Sequence, residues 1–358
     1  MRKRLLFARL LFCVVMLGSG TGLLEAGSLP PIAGQRYYFS KLPKWTNSGA
    51  WGLDGELLIV DVLADKILRF SDTGKFRGEL PSAPGEGAIP HPTIIHQAGP
   101  RDYWVEDEDG RFVLLGDGYR VLDTKDLRAL VSGEAGNLRA VYQWAIPGDG
   151  KAFFIFGDIR KGPDAFSAII RVDMDRPASF KVLQRIELDD PGRRFYLLGS
   201  PLLAATGEDA YYLVMDVIPF FATNSGKRIF SWRIVGRGDQ NGPLERPELP
   251  SQKGMAATEL IFRSVEKSFL PSGVYSWNGN LYLLMREPTA AGAISWWLSK
   301  FNSVANRVEW TRRIESSSNH LLVVPGKKYW AFVEKGPVEG PGQQKVETFI
   351  RVPSSDLR

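Results

Sequence analysis

One unit recurs along the chain: an apolar strand, a tight glycine-containing turn, a second strand rich in aromatic and branched residues, then a third strand. Its turns fall near Gly55, Gly99, Gly150, Gly207, Gly279 and Gly326. A unit of this kind cannot bury both of its faces alone, so it must stack against copies of itself. The intervals between the turns are comparable to the blade length of about 40–50 residues known for propellers, with insertions in some copies. No stretch repeats its apolar residues at the period of a long amphipathic helix. The 37 glycines and 23 prolines suit a chain of many turns. The expected fold is therefore all-β: a six-bladed β-propeller in a single domain, residues 27–358.

The copies are legible as strands. The first gives GELLIVDV (Gly55–Val62) and DKILRFSDTGKFRGEL (Asp65–Leu80), with a turn at Asp72–Thr73–Gly74. The second gives TIIHQAG, RDYWVEDEDG, RFVLLGDG and YRVLD, and the fifth GVYSWNGN, LYLLMRE, AISWWLSKF and RVEWTRRIE. The fourth carries a long insertion, with KRIFSWRIV and TELIFR as its expected later strands. The sixth has three strands before the chain stops, while RYYFSKL (Arg36–Leu42) stands outside the first copy. The economical expectation pairs that N-terminal strand with the last blade and closes the propeller, since an open array would leave a sticky edge.

The first 26 residues read as a signal peptide rather than as fold. Arg2, Lys3, Arg4 and Arg9 precede a short apolar run, Leu10–Leu17, and small residues follow. The run is shorter than the about 20 residues of a membrane span, so no transmembrane span is expected after cleavage near Ala26. Cys13, the one cysteine, lies inside this run behind Phe12, against a lipoprotein signal. The chain is thus expected to be exported, periplasmic or extracellular. Its mature part would carry no disulfide and no cysteine nucleophile. Losing the leader also moves the net charge from +5 toward neutrality. No Lys/Arg run interleaved with aromatics appears, so nucleic acid is not an expected partner.

Asp54–Leu80 resembles an NHL-type propeller repeat. Gly55, Asp61, Lys66, Ile67, Arg69, Phe70, Gly74, Lys75 and Phe76 carry the likeness. It covers one blade in motif and the other five only in plan. The resemblance implies a six-bladed propeller, most often a binding platform, and implies no reaction.

Propellers commonly bind at the mouth of the central channel, and the first residues of the inner strands are taken here as the positions facing it. That reasoning selects Asn47, His91, Arg139, Ser200, Ser272, Asn319 and His320, with Trp51 and Trp45 as aromatic platforms. The acids ending second strands, Asp61, Asp107, Asp158, Asp216 and Glu334, are expected to accept turn amides rather than form a carboxylate ring. His91, His96 and His320 show no metal-ligand spacing, so no metal site and no cofactor are expected. No G-x-S-x-G elbow supports a serine hydrolase. Trp104, Trp232, Trp277, Trp296, Trp297 and Trp330 are expected to pack between blades. Arg237–Gly238–Asp239 is read as a chance tripeptide within the longest polar insertion. The leading reading is an exported binding or scaffold protein for a protein, small-molecule or carbohydrate ligand. The competing one is a periplasmic metal-dependent hydrolase of the lactonase type.

Overall fold

The computed structural model describes residues 29–80, 89–99, 101–133, 136–147, 150, 152–174, 180–186, 202–205, 211–215, 220–223, 270–289, 293–302, 307–338 and 344–358. These residues form antiparallel sheets in chain order. Strand β1 (Gln35–Tyr38) comes first in the chain. The first sheet holds β2 (Thr46–Trp51), β3 (Leu57–Asp61), β4 (Lys66–Phe70) and β5 (Phe76–Leu80). The next holds β6 (Pro92–Gln97), β7 (Tyr103–Asp107), β8 (Arg111–Leu115) and β9 (Val121–Asp126). A one-turn helix, α1 (Leu127–Leu130), leads into a five-stranded sheet. That sheet contains β10 (Ser132–Gly133), β11 (Gly136–Ala145), β12 (Ala152–Lys161), β13 (Asp164–Asp173) and β14 (Phe180–Ile186).

Three strands follow as a sheet of their own: β15 (Leu202–Ala205), β16 (Tyr211–Met215) and β17 (Phe220–Thr223). Then come β18 (Leu270–Trp277), β19 (Asn280–Pro288), β20 (Ile294–Asn302) and β21 (Arg307–Ile314). The last sheet contains β22 (His320–Val324), β23 (Tyr329–Val338) and β24 (Gln344–Pro353), and β1 is its fourth strand. Five sheets thus have four or five strands and one has three. The expected strands KRIFSWRIV and TELIFR, Trp232, the Arg237–Gly238–Asp239 tripeptide and the proposed leader all lie outside the described residues.

Apolar clusters sit between each sheet and the next, which makes the fold a β-propeller. Strand β3 shows why its sequence is a continuous apolar run. Leu57 and Ile59 pack toward the last sheet with Val324, Val333 and Phe349. Leu58 and Val60 pack toward the second sheet with Ile95, Tyr103 and Val105. Successive side chains point to opposite faces, and here both faces are buried. Outer strands differ: β9 alternates exposed and half-buried residues along VLDTKD, as suits a solvent-facing edge. Adjacent Trp296 and Trp297 divide between two clusters, Trp296 with Trp330 and Trp297 with Phe301. Trp104 and Trp330 are buried inter-sheet residues, as their strand positions lead one to expect.

The N-terminal segment is bound at several points. Gln35 pairs with Arg351 and Tyr38 with Thr348, antiparallel. Arg36 Nε donates to Glu334 at 2.9 Å. Phe39 is buried against Phe70 and Phe349. Ahead of β1, Ile32 bridges to Ile314, and its N–H donates to the Arg313 carbonyl at 2.6 Å. The chain's first described segment therefore touches the last two sheets.

Candidate functional site

The innermost strands converge on a cavity of about 560 Å³. It opens where these strands end, not where they begin. Its wall takes Trp51 from β2, His96 and Gln97 from β6, Ala145 from β11, Ala204 from β15, and Tyr275, Ser276 and Trp277 from β18. Asn278 and Gly279 form its rim at the β18–β19 turn, with Lys327 after β22. Asn278 has φ 49° and Gly279 φ 72°. Positive φ at both central residues of a two-residue hairpin marks the Asn-Gly turn that matches strand twist.

The wall is mostly apolar, with a few polar groups. No Asp or Glu lines it, and Lys327 is its one lining residue of fixed charge among the described residues. Trp51 is 8% exposed, and its indole N–H donates to the Val324 carbonyl at 3.1 Å. That bond fixes the ring in the cavity wall. Burial raises the Tyr275 phenol far above its usual range, so it stays protonated.

His96 is the most informative residue of the wall. Its ring meets Trp144 edge-on at 4.5 Å between centroids. It is half-buried and lines the cavity. That burial lowers its pKa to about 4. The imidazole is therefore neutral near pH 7, with one nitrogen to donate and one to accept. Neither has a hydrogen-bond partner among the described residues.

Trp144 connects this cavity to a smaller one of about 220 Å³. Its indole N–H donates to Glu106, which lines the second cavity with Arg139, Phe112 and Leu138. Burial raises Glu106 to about 7, against the lowering effect of the Trp144 bond. The cluster joins His96 and Glu106, on paired strands of the second sheet, to Trp144 of the third.

His96 and Glu106 shape stability in opposite directions. His96 has a lowered pKa, so its contribution is complete above its usual 6.5 and is lost as pH falls toward about 4. Glu106 has a raised pKa, so its contribution is complete below its usual 4.5 and is lost as pH rises toward about 7. Denaturant unfolding at pH 4.5 and pH 7 separates them. We expect Glu106→Gln to lose about 5 kcal/mol more on acidification than His96→Asn, because the two opposite terms add, at about 1.4 kcal/mol per pKa unit over nearly two units each. A common pH profile for both variants and the parent would refute this account of their burial.

The residues selected from sequence are dispersed. Trp51 lines the central cavity and Arg139 the second one. Asn47 Nδ2 donates to the Thr93 carbonyl at 3.3 Å, bridging two sheets. His91 has φ 44° and its Nδ1 lies 2.8 Å from Asp65 Oδ1, on the surface. Ser272 sits at an irregularity early in β18. His320 opens β22 on the mouth opposite the cavity, with Asn319 just before it, and Ser200 lies outside the described residues. Trp45 is half-buried before β2. The inner strands do begin at one mouth, but the large cavity is at the other. The period-2 pattern is the same from both ends, so it gave no polarity. His96, Trp277 and Lys327 line the cavity without having been selected for it; the positions at which inner strands meet turns were the available signal.

The strand-ending acids serve the fold. Asp61 accepts the Lys44 and Trp45 amides at 2.8 and 3.0 Å, from the segment leading into β2 rather than from the following turn. Asp107 accepts the Arg111 amide at 2.9 Å across the next turn. Asp158 accepts the Tyr142 and Ser167 hydroxyls. Glu334 accepts Arg36, Ser316 and Thr348. Asp216 lies outside the described residues. Among the described residues, no group of three His, Cys, Asp or Glu is placed to hold a metal ion.

These features define a β-propeller with a mouth cavity. Among solved structures, the chain is similar to a member of the DUF4221 family from Bacteroides vulgatus, at 10% identity and a TM-score of 0.51, covering 90% of this chain and 98% of that one. It is similar to virginiamycin B lyase from Staphylococcus aureus, at 11% identity and a TM-score of 0.43, covering 88% and 98%. It is also similar to regucalcin, a calcium-binding protein from Agrobacterium tumefaciens, at 12% identity and a TM-score of 0.43, covering 91% and 96%. At these identities the likeness concerns the fold alone. No protein-family model and no curated protein matches the sequence.

Proposed function

We propose that this chain is an exported propeller of six blades that binds a small, neutral or anionic ligand in its central cavity. The observation that carries this reading is His96: a neutral imidazole without a hydrogen-bond partner among the described residues, facing a cavity on which all the innermost strands converge. Buried polar groups are normally satisfied, so one aimed into a cavity suits a ligand or water. Trp51 and Trp277 offer flat aromatic surface, and Gln97, Ser276 and Asn278 offer hydrogen bonds. That mixture fits a sugar or another compact polar ring better than an extended protein. The described lining residues include no carboxylate, which disfavours cations.

The β15–β17 sheet is read as the inner part of a sixth blade, and β1 as the strand that closes the propeller. The pairing of β1 with β24 and the packing of the last sheet on the first support this. The likeness of Asp54–Leu80 to an NHL-type repeat accords with a binding platform. Export rests on the leader pattern; no described helix is long and apolar enough to cross a membrane. The lactonase-type alternative has no placed ligand set among the described residues to build on.

A test is thermal melting against a panel of monosaccharides and small aromatic acids, followed by titration of each hit. We expect His96→Leu to weaken a hit at least about tenfold, a loss of about 1.4 kcal/mol. A hit that binds His96→Leu and Trp277→Ala as tightly as the parent would place the ligand elsewhere. N-terminal sequencing of the protein from fractionated cells checks export, with a mature start near Gly27 as the expected result.

A further inference from the structure

The smaller cavity, of about 220 Å³, has a chemistry of its own. It lies between the second and third sheets, near the end at which the innermost strands begin. Glu106 and Glu108 line it together with Arg139, and Phe112, Leu127 and Leu138 form an apolar wall. Acid, base and hydrocarbon thus border one small space. Its volume is below the about 300 Å³ at which sites for drug-sized molecules begin, so only a small occupant fits.

The cation is placed by a distortion of its strand. Four successive residues of β11, Leu138–Val141, line this cavity. A regular strand cannot do that, because its side chains alternate between two faces. Leu138 pairs with Ile159 and Ala140 with Asp158, so Arg139 is an extra residue that β12 does not match. Such bulges re-aim side chains and recur beside functional sites. Gly157 of β12 makes room for this one: a Cβ there would lie 2.3 Å from the Ala140 carbonyl oxygen. Three other innermost strands carry a bulge near the same place, with Asn47, Thr93 and Ser272 as the extra residues. Arg139 is the charged member of these four.

The acid is placed by packing. Glu106 Oε2 accepts the indole N–H of Trp144, a buried ring clustered with Phe112 and Phe153. That bond engages one of the two carboxylate oxygens. Asp109, which also lines the cavity, lies 3.3 Å from Arg111 and is matched by it.

We propose that this cavity binds a free α-amino acid with a small apolar side chain. Glu106 and Glu108 take the ammonium, Arg139 takes the carboxylate, and Phe112, Leu127 and Leu138 take the side chain. A guanidinium matches a carboxylate with two parallel hydrogen bonds, and an ammonium is a threefold donor suited to carboxylate oxygens. The site does not depend on what the central cavity binds.

The experiment is titration calorimetry of the full chain at pH 7 with three probes: L-valine, isobutylamine, which lacks the carboxylate, and 3-methylbutanoate, which lacks the ammonium. We expect L-valine to bind at least about tenfold tighter than either analogue. Arg139→Gln should erase the advantage over isobutylamine and keep that over 3-methylbutanoate, and Glu106→Gln should do the reverse. L-valine that binds no tighter than isobutylamine overturns the proposal, as does an advantage over isobutylamine that survives Arg139→Gln. Arg139 is exposed, so its variant is expected to fold. Should it not, NMR of the ¹⁵N-labelled parent decides. The Trp144 indole N–H signal must move with L-valine, and a signal that stays in place overturns the site.

Discussion

Deleting residues 35–42 is expected to lower the melting temperature by about 10 °C or more. The segment contributes far more than one edge strand. Its loss removes Phe39 from a cluster that also holds Phe70 and Phe349, and emptying a buried phenylalanine site costs about 3–5 kcal/mol. It removes the Arg36 guanidinium from Glu334, whose side chain is 9% exposed. Leaving a buried carboxylate short of partners costs a further 1–3 kcal/mol or so. It also strips β24 of its ladder partner and frees an edge for pairing with other molecules. The measurement is calorimetry of both proteins beside size-exclusion chromatography, because the exposed edge should promote association. A deletion variant that melts with the parent and stays at the parent's elution volume would show that β1 is dispensable.

Gly74→Val should be nearly as damaging, for a local reason. Gly74 has φ +82° in the turn between β4 and β5, a conformation that a branched side chain strongly disfavours. Space is lacking as well. A Cβ there would sit 2.3 Å from the Tyr38 carbonyl oxygen. The Gly74 carbonyl also accepts the Ser40 amide at 3.0 Å, so the turn is fastened to the segment just after β1. The substitution therefore strains its own turn and pushes β1 from β24 at once. We expect a loss of about 3 kcal/mol or more, read by denaturant unfolding. Gly55→Ala is a fitting control: φ is +74°, yet nothing lies within 4 Å of the added carbon. Equal losses at both positions would show that backbone strain alone, not contact with β1, decides the effect.

What could be read from the sequence was what repeats locally. The strands of the second copy, the Asn278–Gly279 hairpin and the burial of Trp104, Trp296 and Trp330 all follow from alternation and turn chemistry within a few residues. The pairing of Arg36–Tyr38 with the last sheet was legible because the final copy lacked a strand. The one-turn helix Leu127–Leu130 was not anticipated, since four residues are too few to show a helical period. The linkage of His96, Trp144 and Glu106 was also invisible. It forms across an inter-sheet interface, where contact depends on how two sheets face each other. His96 was weighed only as a metal ligand, whereas its environment makes it a neutral hydrogen-bonding group. The cavity's end of the channel escaped because a strand's alternation does not say which of its ends meets open space.

The contact between Gln35–Tyr38 and the final strand has a bearing on biogenesis. Residues Gln35–Tyr38 must wait for Thr348–Arg351 to be synthesised before they can settle. Until β24 has left the ribosome, β1 lacks its partner, so premature compaction is discouraged. Contacts so distant in sequence form slowly, so this sheet is expected to be among the last to assemble.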